Sequence, residues 1–163
     1  MMLKSAEAAN AKTVVEIGPG TGAFTGRLLE NLGTESRFFA VEVDPEMCAR
    51  LRQRFPEIDL VNGDAAELPR LLSERDIDNG VDAIVSGLPW AAFPDEAQRK
   101  IMSGIFNSLA PRGRFATFAY LQGLALPAGK RFRKLLESQF GEVRVSPIVW
   151  ANVPPAIVYV VRR

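Results

Sequence analysis

A chain of 163 residues with 47% hydrophobic and 24% charged residues can bury most of its apolar surface in a single domain, and its composition excludes a disordered or collagen-like chain. Twenty basic residues against 19 acidic ones give a net charge of +1, which argues against a nucleic-acid partner without excluding a local basic patch. With no histidine and one cysteine, Cys48, the chain has no means of building a zinc site, a His-based catalytic triad or an internal disulfide. No metal is expected. A lone cysteine suits a reducing compartment, and the sequence carries neither a membrane-span-length apolar run nor a secretory signal, so a cytoplasmic location is predicted.

Thr13 to Ile17 (TVVEI) reads as the first strand, with Glu16 near its end and glycines at 18, 20 and 22 beyond it. Glycine lets the backbone turn tightly and approach a ligand without a Cβ in the way. A helix predicted from Ala23 to Leu32 presents its free N–H groups to whatever is bound. Glu16 sits where its carboxylate can meet a cationic amine. Gly18, Gly20 and Ala23 also satisfy the dinucleotide fingerprint, with acidic Glu42 about 20 residues beyond the loop. The loop alone leaves both a dinucleotide and a methyl donor open.

The second strand, Arg37 to Val43, carries Glu42 at its end, and Asp44 suits the cap of a helix from Pro45 to Phe55. Ile58 to Val61 is the third strand, followed by Asp64, Ala65 and a short helix from Ala66 to Leu72. The fourth, Val81 to Ser86, runs into Ser86-Gly87-Leu88-Pro89-Trp90, with a helix from Asp95 to Leu109 behind Pro94. Gly113 to Tyr120 is the fifth strand, and Lys130 to Phe140 a helix carrying Lys130, Arg131, Arg133 and Lys134. Strands alternating with helices predict a parallel sheet covered on both faces. Val143 to Trp150 and Ala156 to Arg163, joined by Asn152, Val153, Pro154 and Pro155, then read as an antiparallel pair. There is no internal repeat and no low-complexity linker.

Five parallel strands followed by such a pair resemble the seven-stranded sheet of class I S-adenosylmethionine-dependent methyltransferases. The resemblance covers nearly the whole chain. It implies a single-domain α/β fold over residues 1–163: a Rossmann-like, mostly parallel sheet with an antiparallel C-terminal strand and helices on both faces. It also implies S-adenosyl-L-methionine as cofactor, with Gly18, Gly20 and Gly22 beneath its amino-acid end and Glu16 near its ammonium. Glu42 would accept hydrogen bonds from the ribose hydroxyls, with Val43 beside it. Asp64 would accept one from the adenine amino group, and Ala65 would offer its N–H to the ring. Each acid has a purely structural alternative: a carboxylate near a helix start for Glu42, a helix cap for Asp64. Three strands ending in acids at one sheet edge favour the methyl donor over the dinucleotide.

SGLPW resembles the N-[IL]-P-[YF] motif of adenine N6-methyltransferases, but Gly87 stands at the asparagine position and has no side-chain amide to hold a base. With Phe93-Pro94 it is more similar to the S-G-L-P motif of bacterial phospholipid N-methyltransferases. The segment RFPEIDLVNGDAAEL, Tyr120, and the tail VWANVPPAIVYVVRR, similar to that family's W-x-N-x-P-P-A-x-V-Y ending, agree. This resemblance implies N-methylation of phosphatidylethanolamine or a related phospholipid amine. Backbone carbonyls at Gly87 and Leu88, with Tyr120 nearby, would orient the amine, Pro89 belongs to the same catalytic motif, and Trp90 and Tyr120 would meet the cationic product by cation–π contact. Core or rim packing is the alternative for both Trp90 and Trp150.

The implied partner is a phospholipid at a membrane surface, with peripheral attachment at the inner face. The basic helix suits an anionic bilayer or, as an ordinary amphipathic helix, water. Only Met1 to Lys12 precede the first strand, where enzymes of this class usually carry lid helices, so part of a lid is expected to be missing. The alternatives are an RNA adenine N6-methyltransferase, a small-molecule methyltransferase and a non-catalytic S-adenosylmethionine-binding module. The sequence sets no oligomeric state.

Overall fold

The computed structural model describes residues 8–150 and 152–163, so most of the segment expected to form a shortened lid lies outside the described residues. Strands β1 (Thr13–Ile17), β2 (Arg37–Glu42), β3 (Asp59–Asn62), β4 (Val81–Ser86) and β5 (Leu109–Tyr120) pair in parallel. With β6 (Val143–Val145) and β7 (Ala156–Arg162) they form a seven-stranded sheet of order β3-β2-β1-β4-β5-β7-β6. Strand β7 inserts between β5 and β6 and runs antiparallel to both. The expected fold class is the observed one.

Helices α1 (Thr25–Asn31), α2 (Pro45–Arg54), α3 (Leu68–Ser73), α4 (Asp95–Ser108), α5 (Leu121–Leu124) and α6 (Pro127–Phe140) cover the sheet. Alternate residues of a strand face opposite ways, so β1 supplies two cores. Val15 and Ile17 join the larger cluster with Met102, Ile105, Phe115 and Phe132. Val14 joins the smaller one with Leu28 of α1, Ala83 and Val158. Glu16 shares the face of Val14, which aims its carboxylate at α1 and sets up the site.

Several boundaries differ from expectation. Helix α1 starts at Thr25 because residues 20–24 are spent in turns, and α5 appears where no helix is legible in four residues. Strand β5 starts at Leu109, before Pro111, and α6 at Pro127, a residue suited to a first helical turn. The run from Val143 stops at Val145. Pro147 has no N–H to donate, and pairing returns only as a single bridge between Val149 and Ala156.

Between β1 and β4 the strand order reverses direction. In open α/β sheets this switch point, outside the carboxyl ends of the strands, is where a crevice opens for ligands.

Candidate active site

The loops leaving β1 and β4 meet at that switch point. The Gly87 N–H donates to the Ile17 carbonyl at 2.8 Å and the Gly18 N–H to the Val41 carbonyl at 2.9 Å. Gly18 has φ of 64°, a left-handed conformation that disfavours any Cβ, and a Cβ there would come within 2.5 Å of Leu88 Cδ2. A Cβ on Gly87 would collide with the Gly18 carbonyl oxygen. Both loops are therefore bare backbone where they touch.

Beneath this floor Glu16 is completely buried. Its Oε2 accepts from the Thr25 hydroxyl at 2.7 Å, while its buried Oε1 has no hydrogen-bond partner among the described residues. Burial pushes its pKa from 4.5 to about 7, the Thr25 hydrogen bond opposes the rise, and the nearby Glu42 carboxylate adds to it. A buried acceptor without a donor is costly, and a ligand cation at this place would relieve it.

Glu42, also buried, is held from both sides: Oε2 accepts from Gly20 N–H and Oε1 from Asp44 N–H, each at 3.0 Å. A carboxylate has about four acceptor sites, so both oxygens keep capacity for ligand hydroxyls. Val43 next to it is 66% exposed, an apolar side chain left open to solvent. Asp64 caps the turn that begins at Ala65, accepting the Ala66 N–H at 2.9 Å, and its other oxygen lies 3.7 Å from Lys100 Nζ. The structural alternative for Asp64 is thus present, and half of its carboxylate remains half-exposed. Asp44 caps α2 as expected, accepting from Glu46 and Met47 N–H.

On the acceptor side, Ser86 is buried and its hydroxyl accepts the Leu88 N–H at 3.2 Å, which shapes the turn through Gly87. The Leu88 carbonyl takes the Trp90 N–H at 3.0 Å and keeps a second lone pair. Pro89 is exposed on the turn. Trp90 is not an open ring: at 3% exposure it stacks on Phe132 with centroids 4.4 Å apart, and its indole N–H donates to the Thr117 hydroxyl at 3.0 Å. The cation–π role expected of it gives way to core packing, because the long-range partners Thr117 and Phe132 claim its polar atom and its stacked face. Tyr120, 36% exposed at the end of β5, stays available. Trp150, expected in core or rim, is 69% exposed.

Two cavities border these residues. One, of about 380 Å³, opens over Gly18, Gly20, Gly87, Arg27 and Tyr120. The other, of about 350 Å³, is walled by Leu88, Pro89, Trp90 and Tyr120 on its near side. Phe118 and Tyr120 line both.

Residues 14–113 match the family model described as a methyltransferase domain. The chain belongs to this family. It is 38% identical over 109 residues to an ornithine lipid N-methyltransferase of Singulisphaera acidiphila, a match covering 65% of this chain and 56% of that protein. It is 51% identical over 59 residues to ribosomal RNA small subunit methyltransferase A of Burkholderia cenocepacia, covering 35% of this chain and 22% of that one. The chain therefore spans about half or less of the length of these relatives. In fold it is similar to the N-methyltransferase NodS of Bradyrhizobium japonicum, solved with S-adenosyl-L-homocysteine. The TM-score is 0.72 at 16% identity, over 99% of this chain and 83% of that one.

S-adenosylmethionine is the cofactor of this methyltransferase family, and the donor-side residues fit it. Glu16 offers a buried, unpartnered acceptor that would suit an ammonium, Glu42 keeps lone pairs that would suit two hydroxyls, and Val43 beside it leaves an apolar side chain exposed. Among the described residues no cluster suited to a metal ion occurs. Thr25 and Phe118 are parts of the site not singled out in the sequence. Thr25 follows Glu16 by nine residues, and a threonine at the head of a helix after a glycine loop was the available signal.

Proposed function

We propose that this methyltransferase transfers a methyl group from S-adenosylmethionine to the amine of a polar lipid, phosphatidylethanolamine or an amine-bearing relative. The observation that carries this reading is the pair of neighbouring cavities, both lined by Phe118 and Tyr120, at the carboxyl ends of β4 and β5. One lies over the donor loop and the other is apolar, with Tyr120 between them. The relative from Singulisphaera, called an ornithine lipid N-methyltransferase, supports the same substrate class.

The bound cofactor supplies an electrophilic methyl on a sulfonium. The chain's own residues hold and align. Glu16 fixes the ammonium end, Glu42 the ribose, and the bare backbone at Gly18 and Gly87 lets donor and acceptor approach closely. In-line transfer demands that alignment more than it demands an acid or a base. The incoming amine, as its free base, directs its hydrogens to the carbonyl oxygens of Gly87 and Leu88, so its lone pair faces the methyl. With Glu16 and Glu42 holding the cofactor, the amine nitrogen would take its methyl, leaving a neutral thioether, and the charged product nitrogen would release its proton to water. Tyr120 is the aromatic face left open to meet the positive charge.

An adenine acceptor is less well served. Its motif needs a side-chain amide at position 87, where a Cβ would collide with the Gly18 carbonyl, and the relative named for ribosomal RNA aligns over 35% of this chain only. Basic α6 and exposed Trp150 and Val153 suit a bilayer surface, although Arg131 and Arg133 are partly neutralised by Asp95 and Glu137. Among the described residues no helix is long and apolar enough to cross a membrane.

The test is methyl transfer from labelled S-adenosylmethionine to three separated pools: vesicles of phosphatidylethanolamine or ornithine lipid, total RNA, and small metabolites. Label in the lipid arm supports the reading. Label confined to RNA or metabolites overturns it, and tight cofactor binding with no product in any pool leaves a binding module instead.

A further inference from the structure

The apolar cavity beside the acceptor turn is larger than methyl transfer to a small amine requires. Its volume, about 350 Å³, lies within the range of roughly 300–1,000 Å³ typical of ligand sites. No charged side chain lines it, and its polar side chains are limited to Tyr120, Gln122 and Tyr159. Its floor is rigid. Trp90 and Phe132 are stacked and buried, and Gln98 ties the carbonyls of Trp90 and Ala128 together at 2.7 and 3.1 Å. Its rim carries exposed Tyr120 and Leu126, apolar surface that water wets at a cost.

We infer that this cavity binds one acyl chain of the acceptor lipid, so that Tyr120 separates a headgroup compartment over Gly18 and Gly87 from a tail compartment over Trp90 and Phe132. The inference rests on the lipid-amine reading given above. The two compartments are neighbours across Phe118 and Tyr120, which line both, and an occupant with an amine at one end and a hydrocarbon at the other matches the chemistry of the pair. A nucleobase or a polar metabolite would strand its hydrogen-bonding groups in the tail compartment. A methylene chain has none to strand.

The position of Trp90 in the wall supplies a readout independent of activity. The chain has two tryptophans, so Trp150→Phe leaves Trp90 as the sole indole. In that background a terminally brominated dodecylamine is expected to quench Trp90 emission saturably, whereas bromoethylamine, with the same amine and no tail, is not. Ala91→Phe, whose new ring enters the cavity, is expected to weaken the long-chain probe about tenfold, the equivalent of about two buried methylenes. S-adenosylhomocysteine binding should be unchanged in it. Ala92→Phe, at an exposed lining position, serves if Ala91→Phe does not fold. Absence of quenching by the long probe overturns the inference, as does equal quenching in a folded, cavity-filled variant. Quenching without methylation of any lipid amine would leave the tail compartment standing and overturn the lipid-methyltransferase reading instead.

Discussion

At the scale of single residues, the two glutamates at the donor loop differ in what surrounds them, and their roles separate accordingly. Glu42 is braced by two backbone N–H groups, so it stays fixed. Glu42→Gln keeps the shape but puts an NH₂ donor against one of those N–H groups. It is expected to weaken S-adenosylhomocysteine binding by about tenfold or more, or about 1.4 kcal/mol, by calorimetry. Unchanged affinity would remove Glu42 from the cofactor site. Glu16 has the opposite environment: burial raises its pKa to about 7, with Thr25 and Glu42 acting in opposite directions. A carboxyl with a raised folded pKa holds its proton more tightly when folded, so its effect is absent well below 4.5 and destabilising as pH rises through about 7. A bound ammonium needs the ionised form. Cofactor affinity should therefore fall about tenfold between pH 7 and pH 5.5, and Glu16→Gln should bind more weakly with a flat profile. A wild-type profile that is equally flat would show that no ammonium sits on Glu16.

At the scale of elements, the strands were legible because β-branched runs end at Gly, Asp or Pro, and β1 and β4 lie where the runs place them. The acidic strand ends were legible for the same reason: position on a parallel strand fixes which edge a residue reaches. What escaped the sequence was decided by long-range contact. Trp90 follows a proline turn like an exposed aromatic, and Thr117, 27 residues away, with Phe115 and Phe132 draws it inward, Phe93 closing on its edge. Gln98 escaped although it left a trace. It occupies the apolar stripe of α4 with Ile101, Met102 and Ile105, at the i, i+3, i+4, i+7 spacing of a buried face. A glutamine there has to find partners, and its Nε2 finds the carbonyls of Trp90, Phe93 and Ala128. Gln98→Leu keeps the volume, removes the buried Oε1 that has no partner among the described residues, and loses the Nε2 hydrogen bonds that tie the acceptor turn to α6. It should lower unfolding free energy by about 2 kcal/mol in urea titration. Cofactor affinity should hold, because β1 and β2 are untouched. A loss confined to cofactor binding would contradict this division.

At the scale of the molecule, the sheet divides at the switch point into a donor half, β3-β2-β1, and an acceptor half built on β4, β5 and β7. The halves are joined at the β1–β4 ladder, Val14 to Ile17 against Ala83 to Ser86, and by the Gly18–Gly87 contact. The acceptor half depends on its last strand. β7 pairs with β5 over seven residues, from Arg114↔Arg162 to Tyr120↔Ala156, and it is the sole strand neighbour of β6 among the described residues. Its side chains feed both cores, Ile157, Tyr159 and Val161 on one face and Val158 on the other. Removing residues 156–163 would expose the length of β5 as an open apolar edge, leave β6 without a ladder and uncover Phe132 and Phe115 together. An unprotected edge of that kind is a template for association. The truncated chain is expected to lose cooperative thermal unfolding and to elute as aggregate in size-exclusion chromatography, cofactor binding included in the loss, even though Glu16, Glu42 and the glycine loop are all retained and only the far wall of the donor cavity, Ala156 to Val158, has been removed. A truncated chain that stayed monomeric and still bound S-adenosylhomocysteine would show that the donor half folds without the acceptor half, and the two compartments could then be studied apart.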